Sequence, residues 1–308
     1  MRAVFVDAGQ TLAADAERLR RPDDLEIAIN RNVSITPDQL PATLRGAEIA
    51  IIDHTHLPIE IARRCVGLKH VVFLGAGARS YMNPEALAEH GVAVHTIKGY
   101  GDAAVAECAI ALMWAAAKGF TRMDREMRAG NWLRTDGVQL TGKTIGLIGF
   151  GGIAAEVARI ASGSGMKVQA WNRTPKLHPG VEFVALERLL AESHVLSLHL
   201  LLTDETKNFL SAERIAKMRS GAILINTARG ALVDEAAMVE ALRSGRIAHA
   251  GLDVFVTEPL PPGHVLTTLP NVTLSAHSAF RTPEASDNLI GAALDHCRRI
   301  VVSDRLQT

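Results

Sequence analysis

Arg229, Glu258 and His277 supply a guanidinium, a carboxylate and an imidazole, and each follows closely on a short apolar run. The runs, residues 222–226, 250–254 and 272–275, read as buried strands, and parallel sheets present ligand sites at the carboxyl ends of their strands. A permanently charged cation, a carboxylate and a titratable ring converging there suit proton transfer on an anionic substrate that carries a carbonyl group. Taken singly, each is also an ordinary loop residue or half of a surface ion pair. Together with what precedes them they predict an active site.

What precedes them is an apolar strand, 144–148, that runs into Gly149-x-Gly151-x-x-Ala154 and then into a helix. Gly149 permits a tight turn, Gly151 lets the backbone approach a pyrophosphate, and Ala154 allows helix to pack closely on strand. Gly152 and Ile153 open the helix, whose unpaired amides and dipole would hold the phosphates. A second strand over 168–171 completes the context that a glycine-rich turn alone lacks. At its end an NAD site commonly places an acid that takes both ribose hydroxyls. Asn172 stands there, followed by Arg173 and Thr174 with Lys176 close by, so this corner offers cations and a hydroxyl where a carboxylate would repel a 2′-phosphate. The expectation is a preference for NADP(H) with NAD(H) possible. A plain solvated turn is the competing reading.

The elements that must position these groups are those of an α/β protein. In the first hundred residues, β-rich runs at 3–6, 49–53, 70–74 and 92–95 alternate with helical stretches. An Ala-rich segment from Asp102 ends at Lys118-Gly119, a basic last turn and a Gly stop, and reads as a long buried helix. Residues 122–137, charged around Trp132 and Leu133, read as a protruding arm that pairs with a second subunit, or else as a solvated loop. A second αβ series follows, and then a helix capped by Thr282 with Pro283 in its first turn. No strand follows that helix, so it would pack back on the first unit and make the second an insertion.

Of the 308 residues, 48% are apolar, enough for sizeable cores. Lys plus Arg and Asp plus Glu balance at 33 each, which gives no overall field for nucleic acid or an anionic membrane. An acid at position 7 interrupts any signal-peptide core, and no run spans a bilayer, so a cytoplasmic location is expected. Cys65, Cys108 and Cys297 share no metal or redox spacing. Reduced thiols and no metal are expected.

Four blocks, 140–151, 199–206, 225–235 and 251–259, are specific enough that the chain resembles the D-isomer-specific 2-hydroxyacid dehydrogenases over nearly its whole length. The resemblance implies a Rossmann-type doubly wound parallel sheet at 100–280, inserted into a smaller flavodoxin-like substrate domain of 1–99 and 281–308, with catalysis between them; with the arm at 122–137, a homodimer through the nucleotide domain is expected. Arg229 looks like that family's substrate arginine, Glu258 like the carboxylate partner and His277 like the acid/base. Asp253 looks like the residue that meets the nicotinamide carboxamide, or else a capping Asp. Thr206 and Thr227 fall where the family lines the nucleotide cleft. The substrate carboxylate would rest on amides of Ala76 and Gly77. The loop there departs from the family pattern at Arg79 and Tyr81, and His277 is flanked by Ala276 and Ser278 where Pro and an apolar residue are commoner. His54 and His56 could line the substrate pocket, though surface or capping roles are commoner for such residues.

The expected activity is reduction of a small 2-oxo acid, glyoxylate- or hydroxypyruvate-like, with His277 as general acid. No added regulatory domain is expected. The competing reading is an NAD(P)(H)-sensing corepressor-like binding protein.

Overall fold

The computed structural model describes residues 1–174 and 176–305. They fall into two compact units, Met1–Gly101 with the segment from Thr282 onward, and Asp102–Arg281.

In the first unit the order is β1 (Arg2–Phe5), α1 (Gln10–Leu19), β2 (Glu26–Ile29), α2 (Leu40–Thr43), β3 (Ile49–Ile52), α3 (Ile59–Ala62), β4 (His70–Phe73), α4 (Pro84–Glu89) and β5 (Ala93–Thr96). The strands form one parallel sheet in the order β2-β1-β3-β4-β5, the flavodoxin-like arrangement. Successive side chains point to opposite faces. Val4, Ala50, Ile52, Val71 and Phe73 therefore pack with Leu40, Leu57, Ile61 and Leu87 on one side, and Ala3, Phe5, Ile49, Ile51 and Val72 pack with Ala13, Ala16 and a distant helix on the other. β3 is buried at every position, the signature of a strand covered on both faces.

The second unit begins with α5 (Asp102–Lys118) and α6 (Phe120–Arg128). It continues through β6 (Thr144–Ile148), α7 (Gly152–Gly163), β7 (Lys167–Trp171), β8 (Val181–Phe183), α8 (Leu186–Glu192), β9 (Val195–Leu198), α9 (Ala212–Lys217), β10 (Ala222–Asn226), α10 (Glu235–Arg243), β11 (Ile247–Leu252) and β12 (Val272–Leu274). α11 (Pro283–Arg305) then returns to the first unit. It is the distant helix noted above, burying Leu289, Ile290, Ala293, Leu294 and Cys297 there. Its start is capped as the sequence predicts, the Ala285 amide donating to Thr282 Oγ1 at 3.2 Å.

The seven strands of the second unit are parallel in the order β12-β11-β10-β9-β6-β7-β8. From β6 the chain winds outward to β8, then crosses back to β9 and winds the other way. The reversal between β6 and β9 is the switch point of a doubly wound sheet, where a crevice opens at the strands' carboxyl ends. α5 and α7 cover one face, α8, α9 and α10 the other. Burial against this sheet explains the apolar composition of α5. No single helix among the described residues is long and apolar enough to cross a membrane.

Three features differ from the sequence reading. The short strands β2 and β8 were not foreseen, and only one of their residues, Ile27, is fully buried. The arm begins as a helix, α6, before the irregular chain in which Trp132 is 75% exposed and Leu133 half-buried.

Candidate active site

The turn after β6 is built around Gly149, whose φ of +87° is left-handed. A Cβ there would lie 2.7 Å from the His199 carbonyl oxygen, so the turn packs against the end of β9 with no space for a side chain. Gly151 is the N-cap of α7 without a capping side chain, and a Cβ on it would meet nothing within 4 Å. The helix thus opens with amides that no side chain caps and with open space beside Gly151, while Ala154 is fully buried behind it. Thr227, following β10, is buried with a hydroxyl that has no hydrogen-bond partner. A buried hydroxyl without a partner and an uncapped helix start fit a dinucleotide. Thr206 differs, because its hydroxyl is engaged within its own turn, donating to the Leu201 carbonyl at 2.6 Å and accepting from the Thr203 amide at 2.7 Å.

At the carboxyl end of β7, Asn172 ties the phosphate loop down: its Oδ1 accepts from the Phe150 amide at 3.1 Å and its Nδ2 donates to the Thr174 carbonyl at 2.7 Å. Lys176 Nζ donates to the Phe150 carbonyl at 2.5 Å. Arg173 pairs with Glu205 at 3.0 Å, both side chains being mostly exposed. The sequence reading missed Glu205, a carboxylate from the β9 side that shares the cationic corner. A contact 32 residues away in the chain leaves no local signal.

Arg229, Asp253 with Glu258, and His277 leave from β10, β11 and β12, three neighbouring strands. Buried Asn226 holds the first loop, its Nδ2 donating to the Arg229 carbonyl at 2.9 Å and its Oδ1 accepting from the Ala228 amide at 3.0 Å. Gly230 presses on the next loop so closely that a Cβ would fall 2.0 Å from the Phe255 carbonyl carbon. The Phe255 amide donates to Glu258 Oε1 at 2.8 Å, and Glu258 Oε2 meets His277 Nδ1 at 2.6 Å. That short contact fits a charge-assisted bond and leaves the outer ring nitrogen, Nε2, for a reacting group. Both side chains are about one-third exposed, enough to be reached.

His277 itself has φ of +48°, an unfavourable backbone for a residue with a Cβ. Asp253, 1% exposed, imposes it. The His277 amide donates to the Asp253 carbonyl at 2.8 Å, the Ser278 and Ala279 amides donate to the carboxylate at 3.0 Å each, and the Ser275 hydroxyl donates to it as well. The residue read as facing the nicotinamide carboxamide thus spends its carboxylate on the His277 turn. Ser275 and Asn226, neither foreseen, are the other supports of these loops.

In the first unit, Ala76 and Gly77 follow β4 after Gly75, and among the described residues their amides donate to no partner. Arg79 pairs with Glu85, and the Tyr81 ring packs on Phe73 and His56 at centroid distances of 5.2 Å. His54 is engaged at both ring nitrogens, 3.2 Å from Asp53 and 2.8 Å from the Val33 carbonyl. The Asp53 contact raises it to about 9, so it is a structural cation rather than a free pocket base.

A family pattern described as "D-isomer specific 2-hydroxyacid dehydrogenase, NAD binding domain" matches residues 110–279. The chain belongs to the D-isomer-specific 2-hydroxyacid dehydrogenase family. It is 34% identical over 276 residues to a glycerate dehydrogenase of Methylorubrum extorquens, covering 86% of each chain. It is 42% identical over 224 residues to a glyoxylate reductase of Aeropyrum pernix, covering 66% of this chain and 67% of that one. Among solved structures, the TT0316 protein of Thermus thermophilus superposes with a TM-score of 0.88 at 35% identity, over 98% of this chain and 97% of the other. Membership of this family makes the protein an oxidoreductase that uses a nicotinamide cofactor.

Proposed function

We propose that this protein reduces a small 2-oxo acid of the glyoxylate or hydroxypyruvate class to the D-2-hydroxy acid, with NADPH preferred and NADH usable. The observation that carries the reading is the 2.6 Å contact between His277 Nδ1 and Glu258 Oε2, next to the loop that bears Arg229. The names of the similar glyoxylate reductase and glycerate dehydrogenase point the same way.

When bound, the nicotinamide supplies the hydride that goes to the carbonyl carbon. His277, as imidazolium, gives its Nε2 proton to the carbonyl oxygen as the alkoxide develops. Glu258 orients the ring and stabilises positive charge on it. Arg229 holds the substrate carboxylate and polarises the carbonyl with donors that are always charged. Residues 1–99 and 281–308 serve as the substrate-binding domain, with the Ala76 and Gly77 amides as further carboxylate donors, and 100–280 as the dinucleotide-binding domain. Gly149, Gly151, Gly152 and Ile153 receive the diphosphate, with Thr227 lining the nucleotide. Asn172, Arg173 and Thr174 form the 2′-phosphate corner, and the absence of an acid at 172 supports NADPH. Two copies pair through the nucleotide domain, where exposed Phe120, Met127 and Trp132 offer an apolar surface.

The test follows NADPH and NADH absorbance over glyoxylate, hydroxypyruvate, pyruvate, 2-oxoglutarate and phenylpyruvate. Faster oxidation of NADPH with glyoxylate or hydroxypyruvate is expected. Tight cofactor binding with no turnover on any of them would instead favour a substrate outside this panel or a nucleotide-sensing protein. His277→Ala should lower kcat by about two to four orders of magnitude while cofactor binding stays nearly intact. Unchanged turnover would remove His277 from the mechanism.

A further inference from the structure

Asp102, the first residue of α5, lies against the opening of α7. A Cβ on Gly152 would come within 1.7 Å of Asp102 Oδ2 and 2.7 Å of its Cγ, so the carboxylate fills the space that a side chain at 152 would take. This is the uncapped amide end described above, where a helix's partial positive charge attracts an anion. No cation neutralises Asp102 among the described residues. The nearby carboxylate of Glu156, also on α7, pairs with Arg159 at 2.9 Å. Burial, with Glu156 adding to it, holds the Asp102 carboxyl above the usual carboxylate range.

We propose that Asp102 sets cofactor affinity: its carboxylate stands as an internal anion at the phosphate-binding end of α7, so that an incoming diphosphate must displace or neutralise it. Gly152 is what makes room for it. The inference rests on the cofactor reading above and adds a residue that opposes binding within the site.

The experiment measures dissociation constants of NADH, ADP and adenosine by calorimetry for the wild type, Asp102→Asn and Asp102→Ser, with thermal unfolding of each as a folding control. Removing one like charge at a helix terminus should tighten NADH and ADP by about 2- to 30-fold and leave adenosine, which has no phosphate, nearly unchanged. The gain should shrink only modestly at about 1 M salt, because the partly buried Asp102 is screened less than an exposed charge. Asp102→Ser keeps an oxygen at the head of α5, so it decides the matter if the Asn variant does not fold. A folded variant that binds ADP no more tightly than the wild type overturns the inference. A wild type that binds neither NADH nor ADP overturns the cofactor reading instead.

Discussion

His277 reaches Glu258 because residues without chemistry of their own hold its backbone where few side chains settle. A left-handed backbone costs about 1–3 kcal/mol at a non-glycine residue, and the Asp253 carboxylate offsets it by accepting two amides and the Ser275 hydroxyl. Ser275→Ala should therefore lower kcat by about 10-fold with little change in cofactor affinity, and Ser275→Thr should restore it. Stopped-flow turnover beside cofactor titration checks this, and loss of both kcat and affinity would mean a general loss of structure. At the ribose corner, Asn172→Asp with Arg173→Ala should shift preference towards NADH. An unchanged NADPH-to-NADH ratio of kcat/KM would show that the corner does not read the phosphate. Arg229, Glu258 and His277 were legible because reactive side chains just beyond apolar runs are an anomaly visible in one dimension. Asn226, Ser275 and Glu205 were not, since they act through hydrogen bonds or ion pairs that the fold alone brings together, and no spacing announces them. Asp253 was legible as a site residue, facing the nicotinamide or capping a turn, and its bonds to Ser275, Ser278 and Ala279 are those of the turn, which no sequence spacing announces.

The loops that carry these residues are set by strands whose apolar runs could be read directly, and the long buried helix α5 and the capped start of α11 were equally plain. The edge strands β2 and β8 escaped because an edge buries too little to need an apolar run. Helix α6 escaped because its nine residues bury no side chain fully and its composition is that of a charged loop. The tightest joint between loops is Gly230 against Phe255, backbone on backbone, where no flexible side chain can give way. Gly230→Ala should force the loops after β10 and β11 apart. The expected cost is about 1–3 kcal/mol in stability together with a large fall in kcat, since Phe255 holds Glu258. Thermal unfolding with steady-state rates tests it, and a variant of unchanged Tm and activity would show the joint to be slack.

Across both units the histidines are set at opposing ends of the pH range. Burial holds His199 and His249 down to about 4, and lowers His70, His95 and His296 as well. An unfolded chain takes up their protons from pH ~6.5 downward, so their contribution is present above that pH and is lost as it falls towards 4. His54, raised to about 9, contributes below pH ~6.5 and loses that contribution as the pH rises towards 9. Calorimetry should find Tm highest near neutrality, with His249→Gln flattening the acid side and His54→Gln the alkaline side; slopes unchanged in both variants would place the pH dependence elsewhere. The split of the first unit bears on how the chain is made. Residues 102–281 are contiguous and can pack as they leave the ribosome, whereas the sheet formed by the opening hundred residues lacks part of its cover until α11 has been synthesised. From about the hundredth residue until α11 emerges, the first unit would stay unfinished while the whole of the second is made, and that open sheet face is where a chaperone would bind.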